Sequence, residues 1–508
     1  MSKLSDLFYQ NADKYLDKSA IWCDGETATY QELSSLVSRY SNFLINHGVL
    51  YRDQIGIPMN NSIESVALIM AAADIGAGLV PINPTLPLSA IEAAFTSGNV
   101  KHLIARKSFY EKLEKAGSDR PQGLALCLDG EWEGVFSFGE VMKESVKRPV
   151  SNQVTGDETL ILTMTSGSTG VPKPIELTQN NKLKRAFAHI ELYGITKEDN
   201  ILAATPLYHS LAERLVIIPL LIGATAVLLP RFTPILWLNC IKEQQVTFTI
   251  AVSAQLSQIA QLLSSPFVPE IDSLRCVVSS SALLEPHVRT QLIEKLQCDF
   301  HEMYGTSETS TVTNINFKEA LHKQKSVGRC IPEADIRILR DNEEIADIGE
   351  IGEIACKTQL LFNGYYGLPD LTKQAFADGY FKTGDLGCLD EDGYLYFCGR
   401  KKELIITGGI NVYPNDIDQC VMRLSDVAEC AAFSYPDERL GEVVALAVVA
   451  QKDKTLSKRA LQMHCAKHLA DFQQPHYIFI LDELPKNAMG KLMRSKIIEY
   501  TRIHNETL

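Results

Sequence analysis

Short β-rich runs recur between Gln54 and Ser281, and enough residues for a helix separate each run from the next. The runs are rich in Val, Ile, Leu and Thr, which are typical of buried strands. Parallel strands need a crossover connection of about a dozen residues, usually a helix, so this alternation predicts βαβ units. The runs are QIGIPM, GLVPIN, HLIAR, ALCLD, TLILTM, ATAVLLP, TFTIAV and RCVVSSS. The sequence therefore predicts an α/β fold with largely parallel sheets covered by helices on both faces.

The spacing of the strand and turn signals changes near Gly349. Closely spaced strand and turn signals follow in GEIGEIACKT and GYFKTGDLGCLDEDGYLYFCGR, which predicts a small antiparallel, barrel-like part at about 325–399. After 400–402 the alternation of helix and strand resumes and predicts an α+β domain at 403–508. We therefore predict a large N-terminal domain, residues 1–399, with doubly wound sheets and the barrel-like part, and a smaller C-terminal domain.

Composition excludes several classes of function. The 508 residues carry a net charge of −13, whereas a binder of nucleic acids or anionic membranes needs a basic face. The apolar stretch 215–230 is shorter than the roughly 20 residues of a membrane span and contains Pro219 and Gly223, so it predicts a buried helix end, a turn and a core strand. The twelve cysteines form no C-x-x-C pair, and the first residues, MSKLSDLFYQNADKY, do not have the basic-then-apolar pattern expected of a signal peptide. We expect a cytoplasmic protein without nucleic-acid partners, either a monomer or a homodimer.

The segment TSGSTGVPKP, residues 165–174, directly follows the apolar run LILTM. Its glycines allow backbone N–H groups to turn inward as an anion-binding nest, its hydroxyl side chains add donors, and its lysine adds a cation. The spacing is not that of a P-loop, because no Ser or Thr follows the lysine. A Gly/Ser/Thr cluster after a strand is also an ordinary turn, so the loop alone leaves both interpretations open. The candidate phosphate-binding residues are Thr165, Ser166, Gly167, Ser168, Thr169, Gly170 and Lys173.

Three further motifs carry candidate polar residues. MYGTSETS places Glu308 on a tight glycine-containing turn, YFKTGDLG places Asp385 in the context of a β-turn, and LPKNAMGKLMRSKI places Lys491 between a glycine turn and a helix start. Each residue alone has a plain structural explanation, as a helix cap, a turn former or a solvated charge. These explanations do not account for the joint occurrence of the motifs in this order.

Together with TYQELSSLVSRYSNFLINHGV and GRKKELIITGGINVYP, the motifs resemble those of the adenylate-forming superfamily. This superfamily comprises acyl- and aryl-CoA synthetases, adenylation domains of peptide synthetases and beetle luciferases, and the resemblance covers nearly the whole chain. It implies a two-step reaction, in which a carboxylate attacks the α-phosphate of ATP to give acyl-AMP and pyrophosphate, and a thiol then displaces AMP. The implied cofactors are ATP, Mg²⁺ and, as co-substrate, CoA.

The resemblance also implies roles for individual residues. Lys491 would neutralise charge between the incoming carboxylate and the α-phosphate. Glu308 and Thr165 would hold Mg²⁺ against the phosphates, so these two and Lys491 are the implied catalytic residues. The loop that ends at Lys173 would hold the β- and γ-phosphates. The other implied nucleotide-binding residues are Tyr304 at the adenine, Asp385 and Arg400 at the ribose, and Ser280, Ser281, Ala282, Gly305, Thr306, Ser307 and Phe397.

In the superfamily the C-terminal domain is mobile. It closes over the site for the first step and then rotates about a hinge to present another face to the thiol. The implied hinge is 400–402, with Lys402 as the pivot, and the glycines of TGGIN would let a pantetheine arm pass close to the backbone. The implied thiol face is Gly408, Gly409 and Asn411, and the implied acyl pocket is Tyr208, His209 and Ser253.

Three positions depart from the superfamily's pattern. Pro174 follows the loop lysine where a glycine is usual, VSSSALL stands where a Gly-Gly or Gly-Ala pair is common, and AVSAQL lacks a proline. Pro174 removes an N–H group and predicts a stiffer exit from the loop, and the serines predict a bulkier wall.

The substrate and the acceptor are open at this stage. PLYHSLAERL offers no aspartate for a substrate ammonium, which favours a plain carboxylic acid over an α-amino acid. His209 is either a lining residue of the acyl tunnel or a core histidine. CoA is favoured as the acceptor because no extra segment is inserted near the hinge. A separate acyl-carrier protein is the alternative acceptor, and a non-catalytic acyl- or nucleotide-binding protein is a further hypothesis.

Overall fold

The computed structural model describes residues 3–149, 153–165, 173–263, 265, 269, 271–486 and 492–505. They form two compact units. The first unit comprises the described residues of 1–321, 331–335 and 357–376, and the second comprises those of 322–330, 336–356 and 377–508. The predicted mixed α/β class, with a large N-terminal part and a smaller C-terminal part, is confirmed. The domain boundaries at 399 and 403 stay predictions.

Helices alternate with strands along the chain, as the sequence pattern predicts. The α-helices are α1 Leu4–Lys14, α2 Tyr30–Asn46, α3 Ile63–Ile75, α4 Leu88–Ser97, α5 Lys107–Lys115, α6 Phe138–Val141, α7 Gln179–Tyr193, α8 Ser210–Ile222, α9 Pro234–Glu243, α10 Ser253–Leu263, α11 Pro286–Leu296, α12 Pro369–Gln374, α13 Pro414–Val421, α14 Lys458–His468 and α15 Arg494–Asn505.

The strands from the N-terminus to position 316 are β1 Ser19–Cys23, β2 Glu26–Thr29, β3 Gln54–Pro58, β4 Gly78–Ile82, β5 Val100–Ala105, β6 Ala125–Cys127, β7 Phe136–Ser137, β8 Thr159–Thr165, β9 Lys173–Thr178, β10 Asn200–Ala203, β11 Thr225–Leu228, β12 Phe248–Val252, β13 Cys276–Ser280, β14 Asp299–Thr306 and β15 Ser310–Asn316. The later strands are β16 Arg329–Cys330, β17 Ala334–Leu339, β18 Gly352–Thr358, β19 Gly364–Tyr365, β20 Phe376–Ala377, β21 Tyr380–Leu389, β22 Leu395–Arg400, β23 Ile405–Thr407, β24 Ile410–Val412, β25 Val427–Asp437, β26 Gly441–Ala450 and β27 Tyr477–Leu481.

Two large sheets form the first unit. One has the strand order β15-β14-β13-β12-β10-β11-β1-β2, with antiparallel pairs at its two ends and parallel pairs between them. The other has the order β19-β9-β8-β4-β3-β5-β6-β7 and is parallel from β8 to β7. Crossover helices join the parallel strands, and one of them, α3, is buried along nearly its whole length. These sheets confirm the βαβ pattern.

Two local predictions in the first unit are confirmed. The helix predicted from TYQELSSLVSRYSNFLINHGV is α2, whose first N–H groups are capped by Thr29 and Glu32 in a capping box. The apolar stretch 215–230 forms the buried α8, a left-handed turn at Gly223 with φ 80°, and the core strand β11. Among the residues that the structure describes, no helix is long and apolar enough to span a membrane.

The second unit contains two smaller sheets. β18, β21 and β22 are antiparallel neighbours, as predicted for the region that precedes the hinge. The last sheet has the order β24-β23-β26-β25, and β27 lies parallel to β26. Helices α13 and α14 cover one of its faces through a core that includes Ile417, Leu446 and Leu461. This is the α+β arrangement that the sequence predicts.

Candidate active site

Candidate residues lie at the carboxyl ends of neighbouring parallel strands in the first sheet. β10, β12, β13 and β14 are adjacent and run in one direction. Ligands of α/β proteins commonly bind at this edge, where the loops that follow the strands meet. The candidates there are Tyr208 and His209 after β10, Ser253 after β12, Ser280, Ser281 and Ala282 at the end of β13, and Tyr304, Gly305, Thr306, Ser307 and Glu308 at the end of β14.

The turn that carries Glu308 requires a glycine at its base. β14 and β15 are joined by a tight turn in which the N–H of Thr306 donates a 3.0 Å hydrogen bond to Oγ1 of Thr309. A Cβ atom on Gly305 would lie 1.7 Å from the carbonyl oxygen of Ser310. A larger residue therefore cannot occupy this position unless the strand moves, and the turn keeps Glu308 at the strand end.

Glu308 is held through both its backbone and its side chain. Its carbonyl oxygen accepts hydrogen bonds from the N–H of Phe362 at 2.7 Å and from Nη2 of Arg185 at 2.7 Å. Its carboxylate Oε1 accepts a hydrogen bond from the hydroxyl of Tyr365 at 3.0 Å. Burial and the charge of Glu308 raise the pKa of Tyr365, so the phenol keeps its proton and remains the donor.

A buried basic cluster packs beside this turn, and sequence reasoning missed it. Its members are Lys182, Arg185 and His189 on α7 and Glu213 and Arg214 on α8, each at most 9% exposed. Nζ of Lys182 binds Oε2 of Glu213. Nη1 of Arg214 lies 2.8 Å from Nε2 of His189. The spacing of the three α7 residues places them on one helix face, but this spacing does not say which segment the face contacts.

Arg185 connects three parts of the first unit. Its Nε donates to the carbonyl of Leu360 at 2.8 Å, its Nη1 to that of Ser307 at 3.1 Å, and its Nη2 to that of Glu308 at 2.7 Å. Burial and the neighbouring Arg214 lower the pKa of Arg185 to about 9, so the guanidinium stays charged at neutral pH. The rigid fork of a guanidinium suits such a multiple contact.

Ser253 contacts the strand end that carries the predicted adenine-edge residues. Its hydroxyl lies 3.3 Å from the carbonyl of Ser280 and 2.5 Å from that of Ala282. Ser281, between them, has φ 79°, a left-handed conformation that costs a non-glycine residue about 1 kcal/mol. Ser281 is thus held in a conformation that glycine adopts freely.

Tyr208 and His209 form a contacting aromatic pair, with ring centroids 4.6 Å apart. Burial raises the pKa of Tyr208 and lowers that of His209 to about 4, so the imidazole is neutral at pH 7. Nε2 of His209 is buried, and no hydrogen-bond partner for it exists among the described residues. This environment differs from that of the core histidine His189, whose two ring nitrogens both have hydrogen-bond partners.

The predicted phosphate loop joins β8 to β9. β8 ends at Thr165 and β9 begins at Lys173, and these two residues are opposite each other in the antiparallel register. Pro174 is opposite Met164, and its carbonyl accepts the N–H of Tyr366 at 2.9 Å. The predicted residues Ser166, Gly167, Ser168, Thr169, Gly170 and Lys491, and the side chain of Thr165, lie outside the described part of the protein.

In the second unit, Asp385 and Arg400 face each other across β21 and β22. Nε of Arg400 lies 3.4 Å from Oδ1 of Asp385, and Asp385 is buried. The turn predicted around Asp385 is wrong, because the residue lies within β21, although the preceding Gly384 has φ 73°. Phe397 lies on β22 opposite Gly387. The two predicted ribose-binding residues are therefore neighbours.

Lys402, the predicted pivot, is exposed and lies between two anchored neighbours. Nζ of Lys401 lies 3.1 Å from Oε2 of Glu353 on β18. Oε2 of Glu403 accepts a 2.8 Å hydrogen bond from Nη1 of Arg494. One anchor belongs to the predicted barrel-like part and the other to the predicted C-terminal domain. Lys402 itself lies in the 3-10 turn Lys401–Glu403, which a hydrogen bond from the N–H of Leu404 to the carbonyl of Lys401 closes.

Gly408 and Gly409 form the two-residue turn between β23 and β24, with Thr407 opposite Ile410. Their φ values are 55° and 84°. Two positive φ angles define the type I′ turn that closes such hairpins, and residues with a Cβ atom seldom adopt them. The turn itself thus requires these glycines, apart from any room that they leave for a ligand. Asn411 follows on β24 and is exposed.

The chain matches the family model described as AMP-binding enzyme over residues 8–366. It also matches the model described as AMP-binding enzyme C-terminal domain over residues 416–491. Because the first match alone covers more than half of the chain, the protein belongs to the AMP-binding enzyme family. The resemblance to the adenylate-forming superfamily is thereby confirmed.

Named relatives and solved structures extend over nearly the whole chain. Indoleacetate–CoA ligase of Aromatoleum aromaticum is 29% identical over 500 residues, which are 97% of this chain and 97% of that protein. Long-chain-fatty-acid–CoA ligase FadD13 of Mycobacterium tuberculosis is 28% identical over 476 residues, which are 93% of this chain and 92% of that protein. The structure of o-succinylbenzoate CoA synthetase (MenE) from Bacillus subtilis, in complex with the acyl-adenylate intermediate OSB-AMP, has a TM-score of 0.86, 27% identity and 98% coverage of both chains.

The side chains near β14 suit a magnesium ion that arrives with a nucleotide. In the described ranges, no group of three or more His, Cys, Asp or Glu side chains could enclose a metal ion. Glu308 instead offers one hard carboxylate on a fixed turn. Mg²⁺ usually keeps several water ligands and binds through one or two carboxylates plus substrate phosphates. The donor set therefore fits Mg²⁺ bound together with ATP.

Proposed function

We propose that this enzyme joins a carboxylic acid to CoA in two steps that use ATP. In the first step a carboxylate oxygen attacks the α-phosphorus, the bond to the β-phosphate oxygen breaks, and pyrophosphate leaves. In the second step the sulfur of CoA attacks the acyl carbon, the thiol loses its proton, and AMP leaves. The observation that supports this proposal most directly is the fixed Glu308 turn at the carboxyl edge of parallel strands, in a chain of this family.

The first step needs the negative charge of the triphosphate to be balanced. We assign Glu308, with Thr165 as its partner, to holding Mg²⁺ when it binds with the nucleotide, and the loop that ends at Lys173 to the β- and γ-phosphates. Bound Mg²⁺ neutralises phosphate charge and stabilises the departing pyrophosphate. The contacts of Glu308 with Arg185 and Tyr365 support this role, because they fix both ends of the residue before the nucleotide arrives.

The nucleoside needs a planar partner and a ribose acceptor. We assign Tyr304, with Ser280 and the residues that follow it, to the adenine. We assign Asp385 to the ribose hydroxyls, because a carboxylate can accept two hydrogen bonds at once. The neighbouring Arg400 would orient that carboxylate.

The acid is proposed to be a carboxylic acid without an ammonium group. Tyr208 and His209 carry no charge at pH 7, since burial lowers the pKa of His209 to about 4. The next acidic side chain along the chain, Glu213, is fully buried and is bound by Lys182. The segment PLYHSLAERL therefore offers no free carboxylate for a substrate ammonium, and leaving a buried charge unpaired costs roughly 3–5 kcal/mol.

Lys491 is proposed to contact both the carboxylate and the α-phosphate in the first step. A rotation about Lys402 is then proposed to present the face of Gly408, Gly409 and Asn411 to CoA. The anchors on Lys401 and Glu403 support a pivot at Lys402, which lies between them. CoA is the proposed acceptor, and we place the reaction in the cytoplasm, where both co-substrates are abundant.

A screen of carboxylic acids for AMP formation, with and without CoA, tests the proposal. We expect acyl-CoA and AMP in equal amounts with at least one aliphatic or aromatic acid. Release of AMP that ignores CoA would favour a separate carrier protein as the acceptor. No AMP with any acid, from protein that binds ATP, would contradict the enzymatic proposal and favour a nucleotide-binding role.

A lysine variant tests the assigned mechanism. Lys491→Ala should abolish acid-dependent exchange of pyrophosphate into ATP and leave ATP binding largely intact, because the cation acts on the transition state. Lys486→Ala is the matched control, since Lys486 forms a half-exposed ion pair with Glu429 and should change exchange little. Undiminished exchange in Lys491→Ala would refute the assigned role.

A further inference from the structure

Residues 360–366, which we name the bridging segment, connect two parts of the first unit. At one end, the N–H of Asn363 donates to the carbonyl of Glu176 on β9 at 2.9 Å, and Nδ2 of Asn363 donates to Oε2 of Glu176 at 2.8 Å. The N–H of Tyr366 donates to the carbonyl of Pro174. The bridging segment is thus anchored to the strand that begins where the phosphate loop ends.

The same segment also holds the turn of Glu308. The N–H of Phe362 donates to the carbonyl of Glu308 at 2.7 Å, and the carbonyl of Leu360 is fixed by Nε of Arg185. Seven consecutive residues therefore tie β9 to the Glu308 turn. The two attachment points are more than a hundred positions apart in the sequence.

Tyr365 lies where these two parts meet. Its hydroxyl donates a 3.0 Å hydrogen bond to Oε1 of Glu308. Nζ of Lys173, the lysine of the phosphate loop, lies 5.9 Å from the centroid of its ring, at the limit of a cation–π contact. The ring of Phe362 packs edge-on against it at 4.9 Å. The phenol ring is therefore held in place by contacts that do not involve its hydroxyl.

We infer that Tyr365 is a positioning residue for the carboxylate of Glu308 when that carboxylate holds Mg²⁺. The inference rests on the proposed function, which assigns Glu308 to the metal. The phenol donates to one carboxylate oxygen and so restricts rotation of the side chain. Because the ring is held by Phe362 and by the bridging segment, the orientation of Glu308 is set relative to the base of the phosphate loop.

The size of the effect follows from how metal sites are built. Groups that hydrogen-bond a metal-binding side chain orient it, and their removal typically costs about 10- to 100-fold in metal affinity or activity. Tyr365→Phe keeps the ring and its packing and removes only the hydroxyl. We expect the affinity for Mn²⁺ with a non-hydrolysable ATP analogue to fall about 10-fold, at the lower end of that range.

The first experiment measures binding without turnover. Free Mn²⁺ is followed by electron paramagnetic resonance as wild type, Tyr365→Phe and Tyr366→Phe are titrated in the presence of α,β-methylene-ATP. Tyr366→Phe is the matched control, because no hydrogen bond of its hydroxyl occurs among the described residues. A loss of affinity in Tyr365→Phe alone supports the inference, and equal affinity in all three proteins overturns it.

A double variant tests whether Tyr365 acts through Glu308. Glu308→Gln should itself weaken Mn²⁺ binding, and adding Tyr365→Phe should then cost little more, since the hydroxyl acts only through the lost carboxylate. Fully additive losses would overturn the inference. In turnover assays we expect Tyr365→Phe to raise the KM for Mg·ATP more than it lowers kcat.

The test of Tyr365 can be separated from the test of the proposed function. The binding comparison needs no turnover, so it decides the role of Tyr365 even if no acid yields AMP, the result that would refute the proposed function. Should Tyr365→Phe fail to fold, Asn363→Ala loosens the anchor at Glu176 and leaves the phenol in place. A loss of Mn²⁺ affinity in Asn363→Ala that is smaller than the 10-fold or so expected for Tyr365→Phe supports the inference. Mn²⁺ affinity equal to that of the wild type overturns it.

Discussion

Nη1 of Arg494 donates a 2.8 Å hydrogen bond to Oε2 of Glu403. Arg494 begins α15 three positions after Lys491, and Glu403 directly follows the predicted pivot Lys402. Arg494 also binds Oδ2 of Asp418 on α13 and donates to the carbonyl of Ala432. The start of α15 is therefore attached to the segment that follows the predicted hinge, and a movement of that segment would carry the helix with it.

The first prediction concerns this attachment. Arg494→Lys keeps the charge but loses the fork that reaches two carboxylates, so the start of α15, three positions after Lys491, should lose its attachment. We expect acid-dependent pyrophosphate exchange to fall about 10-fold or more, since small misplacements of reacting groups carry costs up to about 100-fold. ATP binding should change little. Lys486→Arg, in an exposed pair of the same unit, is the control, and wild-type exchange in a folded Arg494→Lys protein would contradict the prediction.

The second prediction concerns Lys402. Its neighbours are anchored to different elements, Lys401 by Glu353 on β18 and Glu403 by Arg494 on α15. Lys402→Pro fixes φ at this position and restricts the preceding residue, which should hinder rotation. We expect the rates of pyrophosphate exchange and of acyl-CoA formation to change unequally. The two factors of change should differ by at least about 10-fold. Lys402→Ala should leave both unchanged, and a parallel change of both rates in Lys402→Pro would argue against a pivot here.

Local sequence patterns predicted much of the fold but not the residues that hydrogen-bond Glu308. The strand runs, the helix α2 and the α8–Gly223–β11 sequence follow from periodicity and from glycine and proline signals within a few residues. Arg185 and Tyr365 were missed because they contact Glu308 across 123 and 57 positions, and such contacts leave no local pattern.

Glycines in two of the predicted motifs have different structural roles. Asp385 was predicted in a turn because Gly384 precedes it, yet pairing of β21 with β18 and β22 keeps the segment extended despite the positive φ of that glycine. The hairpin turn requires Gly408 and Gly409 whatever passes beside it, and their assignment to the thiol face stays a prediction. A glycine signals backbone freedom, but only the neighbouring strands decide how that freedom is used.

The third prediction concerns Ser281, which has φ 79° at the end of β13. Glycine adopts this conformation freely, whereas a residue with a Cβ atom pays about 1 kcal/mol or more. Ser281→Gly should therefore raise the free energy of unfolding by about 1 kcal/mol, less a few tenths for the greater entropy of the unfolded chain. Ser280→Gly, in the strand itself, should lower it, which makes the pair a control of opposite sign. Denaturant unfolding of both variants checks the prediction, and destabilisation by Ser281→Gly would refute it.

The last prediction concerns Asp53, a buried carboxylate. Asp53 is 5% exposed, and its two oxygens accept hydrogen bonds from Nζ of Lys101, from Nε2 of His102 and from the N–H of Leu50. Nδ1 of His102 accepts the N–H of Leu124 at 2.9 Å, so the ring proton lies on Nε2 and points to Asp53. Burial alone would raise the pKa of Asp53, but these donors outweigh burial and lower it.

The sign of the pH dependence follows from this lowered pKa. Between the folded-state pKa and the ordinary value of 3.8, the unfolded chain binds more protons at Asp53 than the folded chain does. The contribution of Asp53 is therefore complete above about pH 4 to 5 and is lost as the pH falls through the folded-state pKa. Asp53→Asn should lower the free energy of unfolding at pH 7 by about 1.5–3 kcal/mol, which is the contribution of hydrogen bonds to a charged group. This gap in the free energy of unfolding between the wild type and the variant should narrow towards pH 3. Thermal unfolding midpoints at several pH values measure the gap, with the exposed Asp17→Asn as the control. A gap that stays constant or widens on acidification would contradict the assignment of these hydrogen bonds to an ionised Asp53.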